Sequence, residues 1–203
     1  MKKHSRYLEA NRRRWDESVA LHMASAHYPV RALHRGALTI HRLESEELGP
    51  VRRKSLLHLQ CHFGLDSLSW ARLGARVTGV DFSPEAVKRA RALAAECGIA
   101  ADFVESDVYN LPRRLHRTFD VVYTAKGVLC WLPDIRRWAR VVARLLRPVA
   151  HSTSWKTTRP RMRMTAVRPD PRRGDGSSSS PTFTALVHSA GSPVIRTRPV
   201  GRR

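Results

Sequence analysis

The sequence contains little cysteine, no long apolar run and no apolar stretch behind its first residues. Its three cysteines, Cys61, Cys97 and Cys130, make neither an even set nor a Cys-x-x-Cys pair, which excludes a disulfide scaffold and fits a reducing compartment. No apolar run approaches the roughly 18–20 residues of a membrane span, and residues 1–4 are not followed by the apolar region of a secretory signal. We therefore expect a cytoplasmic protein without membrane contact.

Glutamate is absent after Glu105, while basic residues are in excess throughout the chain. Lysine and arginine number 37 against 17 acidic residues, a formal net charge of +20. The last 53 residues hold 11 basic and two acidic residues, so nearly half of the excess lies in the final quarter. The location of the charge therefore has to be considered before a nucleic-acid partner is inferred from its total.

Composition changes near Pro148 and divides the chain into two parts. Apolar residues make up 42% of the 203 residues, which is ordinary for a globular protein with a real core. Ser, Thr, Pro and Gly supply 25 of the last 53 residues, a composition that cannot offset the entropy of ordering. We expect a helical lead-in at 1–50, an α/β domain at 51–148 and a disordered basic tail at 149–203, where 183–188 is the one strand-like segment.

Between residues 51 and 148 the sequence alternates between apolar runs of strand length and amphipathic segments of helical period. Strands are predicted at 55–60, 75–80, 101–105 and 119–124, and helices at 65–73, 84–97 and 135–146. Upstream, 8–23 is predicted to be helical and 24–50 irregular, with 44–48 as a candidate short helix. Strands and helices in alternation with short connections indicate a parallel sheet with right-handed crossovers.

Two of these helices carry clear end signals. Ser83 suits the N-cap of the second helix, with Pro84 in its first turn and Gly98 after its last residue. Asp134 suits the N-cap of the third helix. The predicted inner face of this third helix consists of Ile135, Trp138, Val142 and Leu145.

Chemically capable residues follow three of the predicted strands. Gln60 opens the loop 60–64 after the first strand, Asp81 ends the second strand 21 residues later, and Asp107 follows the third. In open α/β sheets, ligands bind at the carboxyl ends of the strands. An acid with the spacing of Asp81 can accept both hydroxyls of a ribose, and one at Asp107 can face an adenine amino group. Both acids also suit turns or helix caps without any ligand.

Four segments of this region resemble the motifs of the class I S-adenosylmethionine-dependent methyltransferases. The run LLHLQCHFG at 56–64 stands in the place of the glycine-rich first motif, VTGVDFSP at 77–84 matches the second, FVESDV at 103–108 the third and FDVVYT at 119–124 the fourth. The segment NRRRWD at 11–16 is similar to the lead-in of one branch that acts on small molecules. The resemblance implies a Rossmann-like, doubly wound parallel sheet, which ends here before its fifth strand.

The resemblance also implies a cofactor, S-adenosyl-L-methionine, and a set of binding residues. Gln60, Gly64 and the loop backbone would approach its methionine part, Asp81 would bind the ribose, Phe82 would pack on the adenine, and Asp107 with Val108 would hold the adenine edge. These residues are Gln60, Gly64, Asp81, Phe82, Asp107 and Val108. The acceptor would be a small molecule held in line with the activated methyl group.

The first motif departs from the family pattern, which has an acid in place of His58 and glycines in place of Gln60 and His62. If residue 62 needs a left-handed conformation, a histidine there costs roughly 1–2 kcal/mol. We therefore expect a differently shaped loop at an intact site. A metal site at His58, Cys61 and His62 is a further alternative, although zinc usually takes four ligands in closed spacing, and we predict no metal.

No catalytic residue is assigned from the sequence. Tyr123, Lys126 and Cys130 follow the fourth strand, where an acceptor could lie, but none of them is a convincing general base. Cys61 and Cys130 are expected to be buried small apolar groups.

The tail begins where the family pattern has Pro-Gly-Gly and a fifth strand. One nucleotide inserted before the codon of Val149 allows the sequence GGALYLVEDHP, and the junction of Trp155 with Lys156 must then encode glutamate. We therefore interpret the tail as an out-of-frame segment, with a native disordered basic tail as the alternative. Without a fifth strand, the fourth would become an exposed edge.

Three functions compete at this point. The first is methyl transfer to a small molecule. The second is a nucleic-acid binder or RNA methyltransferase, suggested by the charge and limited to non-specific contact through the basic tail. The third, a dinucleotide-binding dehydrogenase, is disfavoured because the chain lacks Gly-x-Gly-x-x-Gly.

Overall fold

The structure, a computed structural model, describes residues 2–148, 163–167 and 182–188. Its helices are α1 (Lys2–Ala24), α2 (Val30–His34), α3 (Arg42–Leu48), α4 (Leu65–Arg72), α5 (Pro84–Glu96) and α6 (Ile135–Leu145), with 3-10 helices at Leu111–Arg113 and Leu129–Trp131. Its strands are β1 (Ser55–Leu59), β2 (Arg76–Asp81), β3 (Asp102–Glu105), β4 (Val121–Thr124), β5 (Arg163–Val167) and β6 (Thr182–His188).

Four parallel strands form the centre of the molecule in the order β3-β2-β1-β4. In β1, Leu57 lies opposite Thr78 on one side and opposite Val122 on the other. The strand order reverses between β2 and β4 at β1, the position where α/β folds bind ligands. The predicted Rossmann-like α/β fold is thereby confirmed.

Helices cover both faces of the sheet. Leu57 and Leu59 point to the face that packs against α6, in a core with Trp138 and Val142. Leu56, between them in the chain, points to the opposite face, where it packs near Trp70 of α4. Strands buried on both faces read as continuous apolar runs, which is why β1 was recognisable from the sequence.

The end signals of α5 and α6 work as predicted. Ser83 accepts a hydrogen bond from the backbone N–H of Ala86 (3.0 Å), and Asp134 accepts one from Arg137 (2.8 Å). The predicted inner face of α6 needs one correction, because Ile135 is 39% exposed. Val141 is buried in its place, since Trp138, Val141, Val142 and Leu145 make a stripe centred farther along the helix.

The lead-in is more helical than predicted. The helix expected at 8–23 extends over Lys2–Ala24, the short helix expected at 44–48 begins at Arg42, and α2 lies in the segment that was expected to be irregular. His41 and Glu44 form a capping box at the start of α3. No helix within the described residues is both long and apolar enough to cross a membrane.

Two strands extend the sheet beyond β4. Strand β6, which contains the strand-like segment 183–188, pairs antiparallel with β4, and β5 pairs antiparallel with β6. The expectation that β4 would be an exposed edge is therefore wrong, and β5 has no counterpart in the sequence predictions. The remainder of the tail, for which disorder was expected, lies outside the described residues.

Candidate functional site

A cavity of about 720 Å³ opens at the carboxyl ends of the four parallel strands. It brings together all six residues that the sequence suggested for cofactor binding, namely Gln60, Gly64, Asp81, Phe82, Asp107 and Val108. They come in pairs from the carboxyl ends of β1, β2 and β3 and the loops that follow them, so the parallel sheet gathers residues from 60 to 108 at one edge. The size lies within the range that encloses a drug-sized ligand.

The backbone of the loop after β1 is left-handed at three positions. Gln60 has φ 55° and His62 has φ 51°, both in the left-handed region, and Gly64 has φ 81°. Residue 62 therefore adopts the conformation that is costly for a histidine, and the expectation of a differently shaped loop stays a prediction. At Gln60 and His62 a side chain projects from a position where a glycine would leave space.

Gly64 is required by a close approach as well as by its φ. A Cβ built on Gly64 would lie 2.8 Å from the Phe103 ring, and one built on Gly79 would lie 2.7 Å from the same ring and 2.9 Å from Cys61 Sγ. Phe103 of β3 thus packs directly against the loop backbone. Cys61 is buried, as predicted, and burial raises the pKa of its thiol.

Asp81 is the charged group at the centre of this edge. Its Oδ2 accepts a hydrogen bond from the backbone N–H of His62 (2.7 Å), and its Oδ1 accepts one from Ser83 (3.0 Å). The residue is 6% exposed, and burial raises the pKa of its carboxyl to about 6 although the backbone donors oppose this shift. The carboxylate is thus held in one orientation while it lines the cavity.

The loop after β3 forms another part of the cavity wall. The backbone N–H of Ser106 donates to the carbonyl of Asp81 (2.8 Å), which continues the β2–β3 pairing by one step. Asp107 Oδ1 accepts a hydrogen bond from the N–H of Tyr109 (2.9 Å). Val108 is buried in the core between the sheet and α6. The loop after β3 is therefore fixed at its backbone, with Asp107 at the cavity.

An aromatic cluster, which the sequence reasoning missed, lies over the loop after β1. Trp15 of α1 makes edge contacts with His62 (5.1 Å between ring centroids) and with Trp131 (5.4 Å). His22 stacks on Tyr28 (4.6 Å). We call these five residues the aromatic roof. Trp15, Tyr28, His62 and Trp131 line the cavity, and only the similarity of 11–16 to a methyltransferase lead-in pointed towards α1.

Two histidines of the roof are joined to each other. His22 Nδ1 and His62 Nε2 share a hydrogen bond of 3.0 Å. Burial, followed by the proximity of His22, lowers the pKa of His62 to about 3, and burial also lowers the pKa of His22. Both rings are therefore neutral at physiological pH, which suits an apolar roof.

The residues suggested for the acceptor side separate in the structure. Lys126 lines the cavity. Tyr123 is fully buried behind it, in contact with His58 and Trp70, and so belongs to the core. Cys130 is exposed, which corrects the expectation that it would be buried.

His58 stands where the family pattern has an acid, and Asp66 is a separate acid that follows the loop in the chain. His58 is buried, with Nδ1 at 2.8 Å from Ser67 Oγ, and burial lowers its pKa to about 3. Asp66, in the first turn of α4, accepts a hydrogen bond from the Thr39 hydroxyl (2.9 Å). Both residues line the cavity. Within the described residues, no group of three or more His, Cys, Asp or Glu side chains is placed to hold a metal.

The cavity fits S-adenosyl-L-methionine in size and in donor set. Asp81 presents a carboxylate at the end of β2, and Gly64 belongs to the loop that lines the cavity after β1. Gln60 Oε1 is a buried acceptor without a hydrogen-bond partner in the described part of the chain. These features complement the ribose hydroxyls, the methionine end and the amino group of the cofactor.

Comparison with known proteins bears on this edge of the sheet. Residues 56–149, a little under half of the chain, match the family model described as a methyltransferase domain. Over these residues the chain is therefore similar to a methyltransferase domain.

Relatives with curated names point the same way. The ubiquinone biosynthesis O-methyltransferase of Xanthomonas axonopodis pv. citri (strain 306) is 39% identical over 122 residues, 59% of this chain and 49% of that protein. The protein of the same name from Yersinia pestis (strain Pestoides F) is 34% identical over 103 residues, 51% of this chain and 42% of that protein. The chain thus spans about half the length of the curated relatives it matches.

A solved structure shares the fold. The complex of DhpI with SAH superimposes with a TM-score of 0.51 at 21% sequence identity, covering 68% of this chain and 63% of that one. At this level of identity the likeness concerns the fold alone.

Proposed function

We propose that this protein transfers the methyl group of S-adenosyl-L-methionine to a small-molecule acceptor in the cavity at the carboxyl ends of β1–β4. The observation that carries the proposal is Asp81, a buried carboxylate held by two backbone N–H groups at the wall of that cavity. The catalytic unit would be the domain at 51–148, with 1–50 supplying part of the roof.

Different residues at the cavity would bind different parts of the cofactor. Asp81 would accept the ribose hydroxyls, and Phe82, the next residue, would pack on the adenine. Asp107 and Val108 would hold the adenine edge. Gln60, Gly64 and the loop backbone would face the methionine part. Each assignment is what the resemblance of the motifs to those of the methyltransferases implies.

Methyl transfer depends more on the position in which the protein holds the acceptor than on acid–base groups of the protein. Bound S-adenosylmethionine supplies a methyl group already activated by its sulfonium. The chain holds the acceptor in line, which alone can account for much of the rate. The aromatic roof would limit the access of water to the methyl group, because its histidines are neutral and Trp15 packs edge to face on His62.

For the acceptor, we propose a small molecule with a methylatable hydroxyl, bound beside Lys126 and Trp131. The support is the name of the curated relatives, O-methyltransferases of ubiquinone biosynthesis. We further propose a cytoplasmic location from the cysteine usage. Non-specific contact with nucleic acid would involve the tail, whose structure lies mostly outside the described residues, and no family match supports it.

Calorimetry with S-adenosylhomocysteine tests the proposal directly. We expect micromolar binding by the full chain and a loss of affinity for the Asp81→Ala variant. Phe82→Ala should weaken binding in the same assay, whereas His116→Ala, on an exposed loop away from the cavity, should leave it unchanged. A well-folded chain that binds no S-adenosylhomocysteine would exclude methyl transfer by this protein.

A further inference from the structure

Asp66 is oriented towards the cavity by one hydrogen bond. The Thr39 hydroxyl lies 2.9 Å from Asp66 Oδ1, and Thr39 is itself fixed by Ser69, whose Oγ accepts a hydrogen bond from the Thr39 N–H (2.9 Å). Within the part of the chain that the structure describes, Thr39 is the only hydrogen-bond partner of this carboxylate. Its second oxygen therefore keeps its acceptor capacity while the residue lines the cavity.

A second, independent group points to a ligand at the same place. His58 is 2% exposed and lines the cavity. Its Nδ1 is bonded to Ser67, the residue after Asp66, whereas its Nε2 has no hydrogen-bond partner among the described residues. A buried nitrogen without a partner is costly unless a ligand satisfies it.

The other acids that line the cavity are already engaged. Glu44 accepts the backbone N–H of His41 in the capping box of α3 (3.2 Å). Asp81 holds two backbone N–H groups, and Asp107 holds that of Tyr109. Asp66 has one described hydrogen bond, as Asp107 does, and so keeps capacity for a new partner.

We propose that the Asp66 carboxylate binds the ammonium group of the methionine end of S-adenosylmethionine, with His58 Nε2 as a second acceptor. This inference rests on the function proposed above and adds a residue that the sequence motifs do not indicate. It also explains how the site tolerates a neutral histidine where the family pattern has an acid, because the negative charge has moved to the first turn of α4. An ammonium offers three N–H donors and requires a paired charge once it is buried.

The charges around Asp66 agree with this role. Burial, together with the nearby Glu44, raises the pKa of its carboxyl to about 6, against the lowering effects of the Thr39 hydrogen bond and of Lys126. Tyr28 and Tyr123 also face it. The carboxylate is thus ionised at pH 7, and a cationic group beside it would hold that charge more firmly.

Two ligands that differ only at the methionine end test the proposal. S-adenosylhomocysteine carries the ammonium, whereas 5′-methylthioadenosine keeps the adenine, ribose and sulfur and lacks it. Calorimetry should show that Asp66→Asn weakens S-adenosylhomocysteine roughly ten- to hundredfold, as expected for one charge-assisted contact. Binding of 5′-methylthioadenosine should change less than about twofold. Phe82→Ala, at the proposed adenine contact that both ligands share, should weaken both alike.

A pH series on the unmodified chain gives a second readout that does not depend on a variant folding. The affinity for S-adenosylhomocysteine divided by that for 5′-methylthioadenosine should fall as pH drops through about 6, because protonated Asp66 loses its charge. A ratio that stays constant from pH 8 to pH 5 would overturn the proposal, as would equal losses for both ligands in Asp66→Asn. If the unmodified chain binds neither ligand, the function itself fails, which is a distinguishable result.

Discussion

The backbone N–H of His62 donates a hydrogen bond to Asp81 Oδ2 across 2.7 Å, although the two residues are 19 positions apart. This bond ties the left-handed loop after β1 to the end of β2. The same carboxylate therefore both fixes the loop and lines the cavity. Loss of Asp81 should disturb the loop and the cofactor site together.

Replacing Asp81 with alanine should lower affinity for S-adenosylhomocysteine roughly ten- to hundredfold, the equivalent of about 1.5–3 kcal/mol for a charge-assisted contact. Asp81→Asn, which keeps the shape, should lose most of the same affinity because it loses the charge. Titration calorimetry gives both values, and a thermal melt of each variant controls for folding. An unchanged affinity in both would remove Asp81 from the site.

Glycine at positions 60 and 62 should have opposite effects on stability. At Gln60 it relieves a left-handed conformation that costs roughly 1–2 kcal/mol and removes a buried oxygen without a described partner, so the free energy of unfolding should stay equal or rise by up to about 1 kcal/mol. At His62 it also removes the contacts with Trp15 and Tyr28 and the bond to His22.

His62→Gly should therefore lower the free energy of unfolding, by roughly 1–3 kcal/mol for lost ring burial less the strain relieved. Urea denaturation of the two variants beside the unmodified chain measures both. Changes in the free energy of unfolding that have the same sign in both variants would contradict the balance of strain and packing described for this loop.

His58 should make the fold sensitive to acid. Its pKa is about 3 in the folded protein, where burial disfavours the cation, against 6.5 ordinarily. Between these values the unfolded chain binds more protons, so stability rises with pH and is lost on acidification, by up to about 1.4 kcal/mol per pH unit. His58→Gln, which can still bond Ser67, should remove this part of the slope.

Denaturant unfolding between pH 4 and pH 7 measures that slope in the unmodified chain and in His58→Gln. Asp66 and Asp81 are present in both proteins and contribute equally to the two slopes. The same substitution at exposed His116 is the control. Identical slopes for the His58 variant and the unmodified chain would contradict the burial of a neutral ring.

Asp16 should anchor α1 to the rest of the domain. Its Oδ1 accepts the Ser83 hydroxyl (2.5 Å) and the Glu85 N–H (3.4 Å) at the start of α5. Asp16→Ala should therefore loosen α1 and speed tryptic cleavage after Arg12, Arg13 and Arg14 severalfold, since local opening controls such cleavage. Glu17→Ala, at an exposed neighbouring position, should cleave at the original rate.

The sequence allowed good prediction of those features that depend on local patterns. Apolar runs located β1–β4 to within two residues, and the residues Ser83 and Asp134 located the starts of α5 and α6. The position of Asp81 and Asp107 at strand ends was predictable, because a parallel sheet brings such ends together wherever the strands occur.

Features that depend on contacts between distant segments were not predictable in this way. The aromatic roof joins α1 to a loop some 40 residues later, as in the His22–His62 bond, and no spacing encodes that approach. The left-handed φ values of Gln60 and His62 contradict local preference and persist only because the surrounding contacts fix them. Cys130 and Ile135 were placed wrongly because exposure depends on what packs nearby.

One edge of β4 is shared by two segments that run in opposite directions. Phe119, just before the strand, makes a parallel bridge with Leu146, while 121–124 pair antiparallel with β6. Amides of β4 that bond to β6 exchange with solvent when β6 alone separates. Amides of β4 that bond to β1 exchange only when the parallel sheet itself opens. Hydrogen exchange along β4 should therefore show two rates, and the slow amides are those on the side of β4 that faces β1, the strand whose following loop lines the cavity.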